Sequence, residues 1–180
     1  MEEKTKQKRR CISDRILSNT FISAVFLTIL IGATTAPIRS QEVAFKKASE
    51  AIQTSFDLRT LLDDLHPTLY LSDGKTKKIG DTPVVVECDA ESISLLSEEN
   101  TDYSNVELIR LNIESSSENP KIDISRLKSF QSLRYILLLY TYDVCGQHND
   151  NCLSEITKSS ITGTEDESKI TVLYSLAIPN

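Results

Sequence analysis

The chemically most distinctive stretch of the chain is CGQHNDNC, residues 145–152. Two thiols and one imidazole in a short polar loop are able to bind a metal, carry out redox chemistry or form a disulfide. The spacing is not a common zinc-finger spacing, and redox motifs favour two intervening residues. Because the export signal described below places these cysteines in an oxidising compartment, we predict a disulfide between Cys145 and Cys152. A zinc site that adds Cys88 and His148, free thiols, and a pairing of Cys88 with one of the other two cysteines are the alternatives.

The rest of the chain contains no recognisable catalytic motif. It lacks a glycine-rich phosphate loop, a Gly-x-Ser-x-Gly elbow and a His-Glu-x-x-His pair. His66 precedes a proline at a predicted helix end, which favours a surface or capping role. Adjacent carboxylates do not share a helix face, so they make poor acid/base pairs, although the loop at residues 163–168 has oxygen ligands for weak calcium binding. We predict no catalytic, cofactor-binding or metal-binding residues and no cofactor.

The first forty residues have the composition of an export signal. A basic head, residues 1–15, precedes an uncharged apolar run from Phe21 to Ala33. This order is typical of a secretory signal peptide, and cleavage is predicted after Ala36 or after Ser40. The alternative is a membrane anchor formed by residues 16–36, although the apolar run is short for a span.

The charge of the remaining chain argues against one class of partner. The whole chain has a net charge of −6 and residues 1–40 contribute +4, so residues 41–180 have a net charge of −10. A surface of this sign repels phosphate backbones, and nucleic-acid binding rests largely on basic residues. We therefore predict an exported protein, periplasmic or extracellular, that binds no nucleic acid and contacts a membrane only through an uncleaved N-terminal segment.

The apolar pattern predicts an α/β fold. Four short runs rich in β-branched and aliphatic residues begin near residues 84, 106, 133 and 170. Segments of helical or turn character separate them, at residues 92–98, 124–133 and 153–161. We therefore predict a short, mostly parallel sheet of about four strands with crossover helices, because parallel neighbours need long connections. The continuous apolar runs indicate strands that are covered on both faces.

Two further segments precede this sheet. Residues 41–66 are predicted to be helical, since apolar side chains recur three or four apart from Phe45 to Phe56, and Asp57 is a candidate N-cap for a second helix. The pair Asp73-Gly74 between short runs predicts a small antiparallel hairpin. The predicted organisation is a leader at 1–40, an N-terminal helical segment at 41–66 and a single α/β domain at 67–180.

The spacing of the predicted strands resembles that of leucine-rich repeats. The steps from 84 to 106 and from 106 to 133 fall in the range of about 20–29 residues that such repeats use. The stretch IDISRLKSFQSLRYILLL places aliphatic side chains where one repeat buries them, although the expected Asn is absent and the last step is longer. An ordinary two-layer α/β sandwich is the alternative.

The order of segments also resembles that of small exported proteins found in flavobacteria and their relatives. The stretches that carry this resemblance are LHPTLYLSDG, CDAESISLL, the cysteine-containing loop and the C-terminal SLAIPN. We know of no activity assigned to such proteins, so the resemblance implies export and general architecture and transfers no functional residue.

These observations predict a small exported domain without catalytic activity that binds a protein or supports the cell envelope. Repeat-like sheets bind through exposed strand residues, which here are predicted to include Glu107, Arg110 and Asn112. One alternative is a small exported hydrolase that uses His66 or His148 as its base. The other is a membrane-tethered accessory protein.

Overall fold

The computed structural model describes residues 43–118, 120–146, 150–163 and 169–178. The predicted leader, residues 1–40, and His148 lie outside them. None of the described helices is long and apolar enough to cross a membrane. The strands are β1 (Ala44–Lys47), β2 (Thr68–Ser72), β3 (Lys75–Ile79), β4 (Val85–Asp89), β5 (Leu108–Ile113), β6 (Ile122–Asp123), β7 (Tyr135–Tyr140), β8 (Ile161–Thr162) and β9 (Thr171–Leu176). The α-helices are α1 (Ala48–Thr54), α2 (Phe56–Asp63) and α3 (Asp150–Ser160), and 3₁₀ helices occupy Ala90–Ser97, Thr101–Tyr103 and Ile124–Arg126.

Seven of these strands form one sheet in the order β1-β9-β7-β5-β4-β2-β3. Every neighbouring pair is parallel except β2 and β3, which form an antiparallel hairpin. From β2 to β9 the parallel strands lie side by side in chain order, and β6 and β8 pair separately. The predicted α/β class with a mostly parallel sheet is therefore confirmed.

The predicted number of about four strands is wrong. The four predicted runs correspond to β4, β5, β7 and β9, but β1, β2 and β3 extend the sheet to seven. The hairpin is part of the sheet because β2 pairs in parallel with β4. Strand β1 was missed because it has only four residues, and its Phe45 lies at helical spacing from the apolar residues that follow.

The segment after β1 forms two short helices, as predicted, but they begin at different residues. Ser55 caps α2, since its hydroxyl accepts a hydrogen bond from the amide of Leu58, so the predicted cap Asp57 lies inside the helix. The extended backbone at Ser55 changes the phase of the apolar stripe. As a result Phe56 is 83% exposed while Leu58 and Leu61 are buried.

The crossovers contain less α-helix than the sequence pattern predicts. The first is 3₁₀ helix, the second contains a single 3₁₀ turn at Ile124–Arg126, and only the third contains an α-helix, α3. The apolar residues of the second crossover, among them Leu127 and Phe130, are buried all the same. Spacing of three residues suits a 3₁₀ turn followed by irregular chain as well as it suits an α-helix.

The two faces of the sheet are covered differently. The crossovers cover one face, the crossover face, and form the main core there with Val86, Ile109, Ile136 and Val172. Helices α1 and α2 cover part of the other face, the helix face, where their apolar residues pack against Val85, Leu108, Leu137 and Leu173. The prediction that the strands are covered on both faces therefore holds for only part of the helix face.

Candidate functional site

Beyond α1 and α2, the helix face presents a row of partly exposed side chains. Strand alternation places residues two apart on the same face, and the parallel register aligns these residues across neighbouring strands. All of them are intermediate in exposure rather than buried. We call this set the open strip; it consists of Tyr70, Glu87, Arg110, Asn112 and Leu139.

An ion pair lies at the centre of the open strip. Arg110 and Glu87 are direct neighbours on β5 and β4, and Arg110 Nη1 donates to Glu87 Oε1 at 2.8 Å. Arg110 Nη2 also donates to the carbonyl oxygen of Leu62 in α2, at 3.3 Å. The side chains of Arg110 and Glu87 are 24% and 26% exposed. The guanidinium therefore links the end of α2 to the middle of the sheet and still reaches solvent.

A cavity of about 200 Å³ lies where α2 ends above this ion pair. Its walls include the side chains of Asp64, His66, Tyr70, Glu87 and Arg110. The fold thus brings together His66 and Arg110, which were predicted to have separate roles as a candidate base and a partner-binding residue. The cavity combines an imidazole, a phenol, carboxylates and a guanidinium, so it is suited to bind a polar group.

His66 acts as a cap of α2 in this arrangement. Its Nε2 lies 2.9 Å from the carbonyl oxygen of Thr60, which also accepts the amide of Asp64. The carbonyl oxygen of His66 in turn accepts the hydroxyl of Thr68 at 2.8 Å. Since Nε2 faces a carbonyl, it carries the proton and donates. The contacts of His66 that the structure records are thus to main-chain and hydroxyl groups.

Glu107 lies apart from the other two predicted partner-binding residues. It precedes β5, and its Oε2 accepts a hydrogen bond from Arg134 Nη1 at 3.1 Å. Arg134 Nη2 also contacts Asp57 Oδ2 of α2 at 3.3 Å. Glu107 therefore takes part in fixing α2 to the sheet, whereas Arg110 and Asn112 belong to the open strip.

The predicted disulfide between Cys145 and Cys152 is present in the structure. Cys145 and Cys152 form a disulfide with a Cα–Cα distance of 6.1 Å, which joins the chain after β7 to the first turn of α3. Cys88 is a free thiol, 1% exposed, on the crossover face. Burial, helped by the charge of Asp89, raises the pKa of the Cys88 thiol to about 12. A thiol in this state is not a nucleophile at neutral pH.

Asp89, at the end of β4, connects three parts of the fold. Its Oδ1 accepts the amide of Ser92 at 2.8 Å, and its Oδ2 accepts the amide of Asp73 at 3.0 Å. Burial opposes ionisation of Asp89, but hydrogen bonds from Ser92, Asp73 and Ser72 outweigh it, so the pKa of Asp89 lies below its usual value. Asp89 is therefore a structural carboxylate.

Within the described ranges, no group of three or more His, Cys, Asp or Glu side chains is placed to hold a metal ion. The calcium alternative rests on residues 163–168, of which only Gly163 is described. The zinc alternative requires both His148, outside the described residues, and cysteines that are already joined to each other.

Several residues of this site, including Tyr70 and Glu87, were not predicted from the sequence. A signal for Glu87 was available, because it is a charged residue in the middle of β4, between Val86 and Cys88, which are both buried. Compared with other proteins, the chain matches no protein-family model, no curated protein and no solved structure.

Proposed function

We propose that this protein is an exported binding domain without catalytic activity and that a polypeptide partner contacts the open strip. The observation that carries the proposal is the incomplete covering of the helix face. Strands buried on both faces normally carry apolar side chains, whereas here Glu87, Arg110 and Asn112 occupy the uncovered part of β4 and β5. The open strip also contains Tyr70, and tyrosine and arginine are residue types enriched at protein interfaces.

The contacts recorded inside the cavity hold the chain together. A general base must lie within hydrogen-bond reach of the proton that it removes. The proton on His66 Nε2 is held by the carbonyl of Thr60, and the Glu87 carboxylate is engaged by Arg110. In these contacts both groups position the chain, whereas the hydrolase alternative requires Nδ1 of His66, or His148, to act as the base beside a nucleophile.

We further propose that the central strands form a partial leucine-rich-repeat-like unit. Strands β2, β4, β5, β7 and β9 lie side by side in chain order, and 3₁₀ helices on the crossover face connect several of them. Repeat proteins of this kind bind partners on the face opposite their crossovers. The open strip occupies that face.

Export is part of the proposal and rests on the composition of residues 1–40. The disulfide supports it, because stable disulfides are characteristic of oxidising compartments. N-terminal sequencing of the protein recovered from the envelope or the medium tests export directly. A first residue of Pro37 or Gln41 supports cleavage, whereas an intact Met1 supports the membrane-tethered alternative.

The binding role is tested by affinity capture with two matched variants. Asn112→Arg places a bulky charge in the open strip, and Gln131→Arg places the same charge on an exposed turn before β7. We expect the native protein and Gln131→Arg to recover the same polypeptide from an envelope fraction and Asn112→Arg to lose it. Recovery that is equal for both variants argues against the open strip as the interface.

A further inference from the structure

Strand β3 is an open edge of the sheet. In the part of the chain that the structure describes, β3 pairs only with β2, and all five of its residues are exposed. The backbone groups on its outer side therefore have no strand to pair with. An edge of this kind is able to accept an extended polypeptide as an additional strand.

The three lysines of β3 lie on different faces of the sheet. Lys75 and Lys77 lie on the helix face, opposite Ser72 and Tyr70 of β2, whereas Lys78 lies on the crossover side. Lys78 Nζ contacts Asp102 Oδ1 at 2.9 Å. Within the described residues, Lys75 and Lys77 form no ion pair. Two uncompensated positive charges therefore point to the same face of one edge strand.

An apolar groove lies beside these two lysines. It has a volume of about 350 Å³ and is lined by Tyr70, Ser72, Lys75, Lys77 and Ile79. Ile79 is 50% exposed, which is high for a large aliphatic side chain in a strand. The groove thus offers an aromatic ring and an isoleucine to an apolar side chain, with two ammonium groups next to it.

The charge of this edge is opposite to that of the rest of the domain. Residues 41–180 have a net charge of −10, so the two lysines form a local positive site on an acidic protein. Lysines on an edge strand discourage pairing with neutral or basic strands. The same ammonium groups attract a strand that carries carboxylates, because opposite charges on directly paired positions stabilise a sheet.

We propose that β3 binds an acidic extended segment of a partner protein as an eighth strand of the sheet. Carboxylates at alternate positions of that segment face Lys75 and Lys77, and an apolar side chain two positions further along enters the groove at Tyr70 and Ile79. Main-chain hydrogen bonds to β3 supply affinity, and the two lysines select the acidic sequence. This inference deepens the proposed binding function and rests on it, since it names the chemistry of the partner.

The test uses two labelled peptides, Thr-Leu-Thr-Glu-Thr-Glu-Thr and the same peptide with Gln in place of both Glu residues, each also synthesised in reversed order. Binding to the purified protein is measured by fluorescence anisotropy, and the contact surface by shifts of backbone amide resonances. We expect the Glu peptide of one order to bind about 10-fold or more tightly than its Gln counterpart, with the largest shifts in β3.

Matched variants of β3 distinguish this site from general charge attraction. We expect the double variant Lys75→Gln/Lys77→Gln to lose about 10-fold in affinity and Lys78→Gln to lose less than about 2-fold, because Lys78 faces the other side and is already paired. Equal losses in both variants overturn the proposal. So do shifts that lie away from β3, tighter binding to anionic lipid vesicles than to the peptide, or self-association through this edge.

The experiments distinguish failure of the proposed binding function from failure of the acidic-strand inference. A partner that is lost on Asn112→Arg but retained by Lys75→Gln/Lys77→Gln leaves the binding function in place and removes the acidic-strand inference. A partner that is lost in both variants supports a contact surface that continues from the open strip to β3, across the shared side chain of Tyr70.

Discussion

The main-chain amide of Asp73, in the turn of the β2–β3 hairpin, donates a hydrogen bond of 3.0 Å to the carboxylate of Asp89, sixteen residues further along the chain. The same carboxylate accepts the amide of Ser92, whose hydroxyl accepts the amide of Gly74 at 3.0 Å. One side chain therefore holds the hairpin turn against the end of β4. It also caps the first 3₁₀ helix.

Asp89→Asn is expected to destabilise the protein by about 1 kcal/mol at neutral pH, because a charged cap is replaced by a neutral one. The folded-state pKa of Asp89 is lowered, so its contribution is present above the unfolded pKa of about 3.9 and is lost as the pH falls through the folded value. Urea unfolding of the native protein and of Asp89→Asn should show that the difference between their free energies of unfolding decreases from about pH 7 to about pH 3. The exposed Asp81→Asn is the control, and a difference that is constant with pH contradicts the assignment.

Gly80→Ala should destabilise the protein more than Gly74→Ala. Both glycines have positive φ, at 86° and 67°, so each substitution costs about 1–2 kcal/mol for the left-handed backbone alone. A Cβ at Gly80 also lies 2.8 Å from Cβ of Pro67, whereas a Cβ at Gly74 meets open space. We expect an additional cost of about 1–3 kcal/mol at Gly80, measured by chemical unfolding. Equal losses at both positions indicate that Pro67 moves aside.

The ion pair between Arg110 and Glu87 should be coupled more strongly than the pair between Arg59 and Asp63. The first pair is about three-quarters buried, whereas the side chains of the second are 67% and 59% exposed. Double-mutant cycles use Arg→Met and Glu→Gln for the first pair and Arg→Met and Asp→Asn for the second. For the first pair the interaction free energy is expected to be about 1 kcal/mol or more. Exposed pairs of this kind typically give about 0.3–0.5 kcal/mol. Similar coupling for both pairs would mean that solvent screens Arg110 as fully as Arg59.

Alkylation should distinguish the three cysteines of residues 41–180 by the conditions under which each one reacts. The native protein should not react, because Cys145 and Cys152 are joined and the pKa of the buried Cys88 is about 12. Reductant without denaturant should make Cys145 and Cys152 reactive, and added denaturant should make Cys88 reactive as well. The number of alkylated thiols is read from the intact mass. Cys145→Ser/Cys152→Ser is expected to lose about 2–3 kcal/mol of stability, as the short loop between the cysteines predicts. Reaction of Cys88 in the native protein contradicts its burial.

The four runs predicted as a parallel sheet are strands rich in buried apolar residues, β4, β5, β7 and β9, whereas the β2–β3 hairpin was predicted from its Asp73-Gly74 turn. Strand β7 has a continuous aliphatic run and β5 an alternating one, and these patterns identify both strands without knowledge of their neighbours. Strands β1 and β3, with the sequences AFKK and KTKKI, lie at the two edges of the sheet. An edge strand buries little apolar surface, so its sequence carries little of the periodic signal that reveals a strand.

The disulfide was predictable because both cysteines lie in one short loop, whereas the open strip depends on contacts between distant segments. Arg110 was selected as an exposed strand residue, but its partner Glu87 lies 23 residues earlier in the chain. The pairing follows from the register of β4 and β5, which is set by the packing of their apolar neighbours on both faces. The position of His66 above them depends in turn on where α2 ends.

The pairing of β1 with β9 has a consequence for the order in which the chain folds. Ala44 lies beside Thr171 in this parallel pair, so the first strand of the domain obtains its only described strand partner from the last. Contacts between segments so distant in sequence form slowly, because the entropy cost of closing the long loop between them precedes the stabilisation that the contact gives. During synthesis β1 therefore cannot form this pair until Thr171–Leu176 has been made, so the sheet is completed late.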